Sequence, residues 1–260
     1  MTETRTALRL FGILLLSALC PFAVAQDAHD GSAAPGADTA GATIGRLGEP
    51  AGVDPTKFKF SEAESRLWMS DHLRNVSRPA RLYYQFTKAG SLEEGFSDNV
   101  YLDVLKLNSD GTKDANLHFL TGEREQPVTP DNVSNIRGNP ILGVYLQGDV
   151  LDMNRLTQGS WRYFQRLIKA AFSEGAVIEP VTVSFNGKTI AGQRIKITPF
   201  IHDARRAQFE QFEGKRYEFL MSDDIPGTLY QIHTVVPGPT DNDKPLIEET
   251  LTLQKVEYRS

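Results

Sequence analysis

The chain contains a single cysteine, Cys20, among 260 residues. One thiol permits no internal disulfide, zinc ribbon or iron–sulfur site, so the fold must be held by its core. There is no basic surplus either. Lys and Arg number 28 against 33 Asp and Glu, which excludes the electrostatic footprint of a nucleic-acid binder. No apolar run approaches the ~20 residues of a membrane-spanning helix. Gly-x-Ser-x-Gly, Ser-x-x-Lys, glycine-rich phosphate loops and other cofactor fingerprints are missing. His29, His72, His118, His202 and His233 never fall three to five residues apart, so no metal-ligand spacing occurs. No catalytic residue, cofactor or metal ligand is legible, and an enzyme is the less favoured reading. Aromatics are absent from residues 26–55, whereas 22 of the 24 lie in 56–260.

What is present divides the chain into three. Residues 1–25 read as a secretory signal peptide. Arg5 and Arg9 form the positive region, Leu10 to Cys20 the apolar stretch, and Ala23-Val24-Ala25 the small-x-small cleavage site. The expected destination is the periplasm. A lipoprotein anchored at Cys20 is the alternative, but Leu19 precedes that cysteine and a better site follows it. Cleavage after Ala25 leaves no cysteine and no transmembrane segment in the mature chain. Residues 26–55 hold 7 Ala, 6 Gly and 3 Pro with a net charge of −4. They cannot bury enough apolar surface to offset ordering, and read as a disordered acidic linker. Residues 56–260 carry 25 bases and 27 acids and are long enough for one domain with a sizeable core.

Within that domain Ser61-Glu-Ala-Glu64 is a capping box that starts a helix over about 62–74. Strands are expected near 81–87, 99–107, 113–121, 177–185, 188–198, 216–222, 228–236 and 246–256. Asn108-Ser-Asp-Gly111 and Asn186-Gly187 supply tight hairpin turns. Residues 122–138 read as loop. Asn139-Pro140 opens an amphipathic helix over about 140–157, Gly159 stops it, and Ser160 caps a second helix ending at Gly175. A short helix is expected within 203–212. Hairpins and short connections predict an α+β domain: an antiparallel, curved β-sheet of half-barrel type with an N-terminal helix and a mid-chain helix pair packed on it.

Tyr84, Phe86, Tyr217, Phe219, Met221, Leu251 and Leu253 each mark one face of a strand. They fit either a core beneath the helices or the lining of a concave apolar cleft for a ligand. Periodicity does not separate the two, because both demand apolar side chains on that face. Arg155, Arg162, Arg166 and Lys169 cluster on the second helix and the turn before it. They suit a solvated face or the reception of an acidic partner, a lipid phosphate or a carboxylate. The pair Glu248-Glu249 makes a poor acid dyad, since neighbours in a strand point to opposite faces.

Three stretches, Asn139-Pro-Ile-Leu with Asp149-Val-x-x-Met-x-Arg155, Lys215-Arg-Tyr-Glu-Phe-Leu220 and Pro226-Gly-x-x-Tyr-Gln-Ile-His-Thr-Val-Val-Pro237, resemble a group of uncharacterised secreted proteins of Gram-negative bacteria. The resemblance covers most of 58–258 and implies no activity. At fold level the chain is similar to the half-barrel carriers of lipoprotein trafficking, which shelter acyl chains on a concave apolar face. The expectation is a non-enzymatic envelope protein that carries a hydrophobic or lipid-like ligand. The alternatives are an interaction module with an envelope protein as partner, using loops such as 122–138 and 237–245, and a hydrolase whose His118 or His233 meets an acid only in three dimensions.

Overall fold

The computed structural model describes residues 13–14, 59–126, 128–129, 132–240 and 242–259. The expected cleavage site at Ala23 and Ala25, Cys20 and the linker lie outside these residues. Of residues 1–25 only Ile13–Leu14 are described, and they pair in parallel with Val128–Thr129.

Nine strands form one antiparallel sheet: β1 (Ala80–Ala89), β2 (Phe96–Leu107), β3 (Lys113–Phe119), β4 (Asn132–Ile136), β5 (Val177–Phe185), β6 (Lys188–Ile197), β7 (Arg216–Met221), β8 (Leu229–Val236) and β9 (Ile247–Tyr258). Their order is β4-β3-β2-β1-β9-β8-β7-β6-β5. Two meanders are therefore stitched together by the central β1/β9 pair. Register breaks in the β1/β9, β2/β3, β3/β4 and β7/β8 ladders insert extra residues that bend the strands. The result is the open, curved α+β sheet expected from the sequence.

The topology dictates where the helices go. Strands β4 and β5 are consecutive in the chain yet lie at opposite edges of the sheet, so the connection between them must cross a face. It does so as α1 (Pro140–Thr157) and α2 (Trp161–Glu174). Asn139 caps α1, accepting a bond from the Ile141 N–H, and Pro140 occupies the first turn, where its missing N–H costs nothing. The stop falls one residue before Gly159: Gln158 takes φ +59° and closes the helix. Ser160 occupies the cap position of α2 without a side-chain cap bond. Asn186 and Gly187 both have positive φ, as the type I′ turn between β5 and β6 requires.

Three local expectations change. The leading helix runs from Glu62 through a π turn to Met69, not to residue 74, because Ser70 is extended. Tertiary bonds win there: His72 Nε2 bonds the Arg66 carbonyl at 2.7 Å, His72 Nδ1 accepts the Asn139 N–H at 3.0 Å, and the Leu73 N–H reaches the Arg137 carbonyl. With Nδ1 accepting, His72 is a neutral imidazole, and burial lowers its pKa despite the Arg66 carbonyl. Residues 122–138 are not all loop, since β4 extends the sheet and accounts for the ninth strand. The segment 203–212 forms two 3-10 turns, Arg206–Gln208 and Glu210–Phe212, that seat Phe209 and Phe212 in the core.

Candidate functional site

Tyr84, Phe86, Tyr217, Phe219, Met221, Leu251 and Leu253 share the face that the helices cover, and all are buried. The Phe219 ring meets Phe172 of α2 at 5.5 Å between centroids. The Tyr84 hydroxyl donates to the Leu229 carbonyl at 3.0 Å. Phe86, Leu251, Ile232, Phe219 and Ile195 are cross-strand partners in one apolar row.

Two residues along each strand lies a row of different chemistry. Lys88 of β1 pairs with Glu249 of β9, Glu249 with Thr234 of β8, and Thr234 with Tyr217 of β7. These side chains have the same phase as the apolar face, so they point at α1 rather than at solvent. Helix α1 answers with Tyr145, Asp149 and Asp152. The Tyr145 hydroxyl donates to Glu249 Oε2 at 3.2 Å and accepts from the Thr234 hydroxyl at 2.7 Å. Asp149 takes the Lys215 ammonium at 2.5 Å and the Tyr217 hydroxyl at 2.6 Å. Lys88 Nζ lies 3.0–3.2 Å from Asp152, Glu93 and Glu249. Arg155 closes the outer end on Glu93 and Asp152.

The network places three cations against four carboxylates, and burial decides how the excess is met. Glu249, only 12 % exposed, has its pKa raised by burial, with Lys88 opposing and Asp149 adding to the rise. Burial pulls the Lys88 ammonium down, but Glu249 and Asp152 outweigh it and its net shift is upward. Asp152 is lowered because Lys88 and Arg155 outweigh its own burial. Burial, with Asp149 and Glu249 nearby, raises the Tyr145 and Tyr217 phenols, so both remain donors.

A cleft of about 100 Å³ opens beside this latch, between α1 and the β1–β3 side of the sheet. Its apolar wall is Phe86, Phe96, Phe119 and Leu120; its polar rim includes Lys88, Asp152 and Glu249. The Phe86 ring lies 5.5 Å from Phe96 and 6.4 Å from Phe119. Gln126 also lines the cleft, and its buried Oε1 has no hydrogen-bond partner. Of the seven expected ligand-facing residues only Phe86 reaches this wall. A second cleft of about 190 Å³ lies at the α1–α2 turn, walled by Tyr163, Phe164 and Phe209. Phe164, Phe200 and Phe209 pack edge to face beneath it at 5.6–5.7 Å.

The polar row was invisible in the sequence because it joins four strands that are up to 161 positions apart. One signal existed: Lys88, Lys215 and Glu249 interrupt otherwise apolar phases of β1, β9 and the approach to β7. Glu248 and Glu249 do point to opposite faces. Glu248 meets His233 Nε2 at 2.8 Å, while Glu249 enters the latch. His118 Nδ1 lies 3.2 Å from Glu125; neither His118 nor His233 lines either cleft. Among the described residues no group of three His, Cys, Asp or Glu converges as metal ligands, and no helix is long and apolar enough to cross a membrane.

No family model matches the chain, and no curated protein matches it. Solved structures show a weak likeness at fold level. Lipoprotein LppX of Mycobacterium tuberculosis is 10% identical with a TM-score of 0.28 over 69% of this chain and 87% of its own. LprF from Mycobacterium bovis is 14% identical with a TM-score of 0.31 over 77% and 96%. A LolA superfamily protein from Nitrosomonas europaea is 10% identical with a TM-score of 0.23 over 76% and 94%. The weak fold-level similarity expected from the sequence is thus found, and no residue role passes from these structures to this chain.

Proposed function

We propose that the domain is a non-enzymatic binding or carrier protein of the cell envelope, exported through its leader, whose ligand is apolar or lipid-like and whose α1–α2 hairpin is the lid. The observation that carries this is the phenylalanine-walled cleft where the apolar sheet face emerges from under α1. Apolar cavities of about 150 Å³ accept a benzene-sized guest. At about 100 Å³ the cleft is smaller than that, so it takes a few methylenes as it stands, and a ring or a longer chain requires the hairpin to lift. The sheet beneath is ready for that, since Tyr84, Phe219, Leu251 and their neighbours offer a continuous apolar floor. The lid is held at this end by a polar latch. Its charges regain water when separated, so opening costs less there than along a wholly apolar seam. The unmatched Gln126 Oε1 favours a ligand that also brings one hydrogen-bond donor.

Gly148 provides the test. It lines the cleft, and a Cβ there would meet only the Gln126 Oε1, at 3.6 Å. Gly148→Leu fills the space while improving helix propensity by about 1 kcal/mol. Native mass spectrometry of the protein purified from periplasm, with titration of an apolar fluorophore, should show an adduct and binding for the wild type. The variant should lose both without losing stability. A wild type that carries no adduct and binds no fluorophore, or a Gly148→Leu protein that binds equally well, sinks the proposal.

A further inference from the structure

The cationic group noted in the sequence divides in the structure. Arg155 belongs to the latch. Arg162, Arg166 and Lys169 form a stripe along the exposed face of α2, at spacings of four and three residues. Arg205 joins them from the following segment: the guanidinium groups of Arg166 and Arg205 lie 5.3 and 5.4 Å from the Tyr163 ring centroid. Arg162 lies over Trp161 at 4.6 Å.

Two features coincide on this face. First, its cations lack counter-ions. Elsewhere Arg66, Arg74, Arg81, Arg137, Arg155 and Arg194 each hold a carboxylate at 2.5–3.3 Å, while Arg78 and Arg124 lie over the Tyr258 and Phe96 rings. Among the described residues none of Arg162, Arg166, Lys169 and Arg205 forms such a pair. Glu174 is the sole acid of α2, in its last turn, and Asp203 is engaged by the Tyr163 hydroxyl and the Arg205 N–H. Second, exposed apolar side chains lie near either end of α2. Trp68 and Met69 are 38 % and 57 % exposed, with the Trp68 ring against Phe172 in the C-terminal half of α2. Ile201 is 43 % exposed and follows Phe200, which packs on Phe164 in the N-terminal half. Free cations, rings at the level of those cations and protruding apolar groups are what a phospholipid surface recognises: phosphates take the charges, amphipathic rings lodge among the headgroups, and apolar tips reach the acyl boundary.

We propose that this face of α2, with Trp68, Met69 and Ile201, docks the domain on an anionic phospholipid bilayer. The inference is independent of the cleft and its ligand. Both tryptophans of the chain adjoin this face, Trp68 against Phe172 and the half-buried Trp161 beneath Arg162, so their emission reports docking.

The test is sedimentation and tryptophan emission of the mature chain with vesicles of phosphatidylcholine alone or with added phosphatidylglycerol. The wild type should bind the anionic vesicles with a blue shift, and raising salt should weaken binding as the Debye length shrinks. Arg162→Gln/Arg166→Gln/Lys169→Gln should lower partitioning about a hundredfold, or about fivefold per charge. These side chains are exposed, so the fold should be kept; circular dichroism checks this. Gly148→Leu should bind vesicles like the wild type, which keeps this proposal distinct from the ligand proposal. Absent binding, equal binding to neutral vesicles, an unshifted emission, or a triple variant indistinguishable from the wild type would overturn it, including where the stripe proves to hold an acidic protein instead.

Discussion

Lys88 balances Asp152, Glu93 and Glu249 at 3.0–3.2 Å, and the result of removing it follows from that count. Lys88→Met leaves three carboxylates at a buried seam with only Arg155 to answer them. Breaking one partner out of such a network costs about 3–5 kcal/mol, readable in urea unfolding at pH 7. Glu249→Gln should behave differently. It keeps a polar partner for Tyr145 and removes the group whose ionisation burial opposes, so stability at pH 7 should change by less than about 1 kcal/mol. The pH dependence has a definite sign. Glu249 is raised in the folded state, so its stabilising contribution is whole below its ordinary value of 4.5 and is lost as pH rises through the folded value. The stability of the wild type relative to Glu249→Gln should therefore fall with pH above 4.5. A difference that stays flat between pH 4.5 and 8 would contradict the assignment. None of this was legible beforehand: Lys88 and Glu249 are each one polar letter in an apolar phase, and only the β1/β9 register makes them neighbours.

At the scale of elements, the start of α1 does more than its cap predicts. Asn139 accepts the Ile141 N–H, and its amide also donates to the Gly227 carbonyl at 3.1 Å and to the Tyr84 hydroxyl at 3.3 Å. One residue thus ties the helix to the β7–β8 turn and to β1. Asn139→Ala should lose about 1 kcal/mol of capping and a further 1–3 kcal/mol from buried groups left unmatched. At ~2–4 °C per kcal/mol for a domain of this size, Tm should drop by about 5–15 °C. Asn139→Asp retains the cap acceptor but sets a carboxylate against the Gly227 carbonyl, so calorimetry should find it little better than alanine. Helix and hairpin positions were legible because caps and turns are local chemistry. The end of the first helix was not, because His72 and Leu73 are pulled out of helical phase by partners some 65 residues away.

For the whole molecule, the decisive element is the last. Strand β9 sits at the centre of the sheet between β1 and β8, although it is the final strand in sequence. Deleting residues 246–260 removes two of the eight ladders and bares two long inner edges, which are templates for aggregation. That truncation should yield insoluble or unfolded protein by size exclusion and circular dichroism. Soluble, folded material would show that the meander of β1–β4 stands without its centre.

The sequence by itself determined the period of each segment, the turns between them and, with one cysteine, that no internal disulfide can form. These are set by side-chain size, backbone freedom and residue identity within a few positions. The α+β sheet with helices on one face was legible to that extent. Only the tertiary structure decided that β4 joins the sheet, that α1 and α2 must cross a face because β4 and β5 lie at opposite edges, and that Lys88, Glu249, Thr234 and Tyr217 line up beneath α1. Periodicity specifies which face a side chain takes, but register and curvature specify what lies opposite it, and these arise only when distant strands pair.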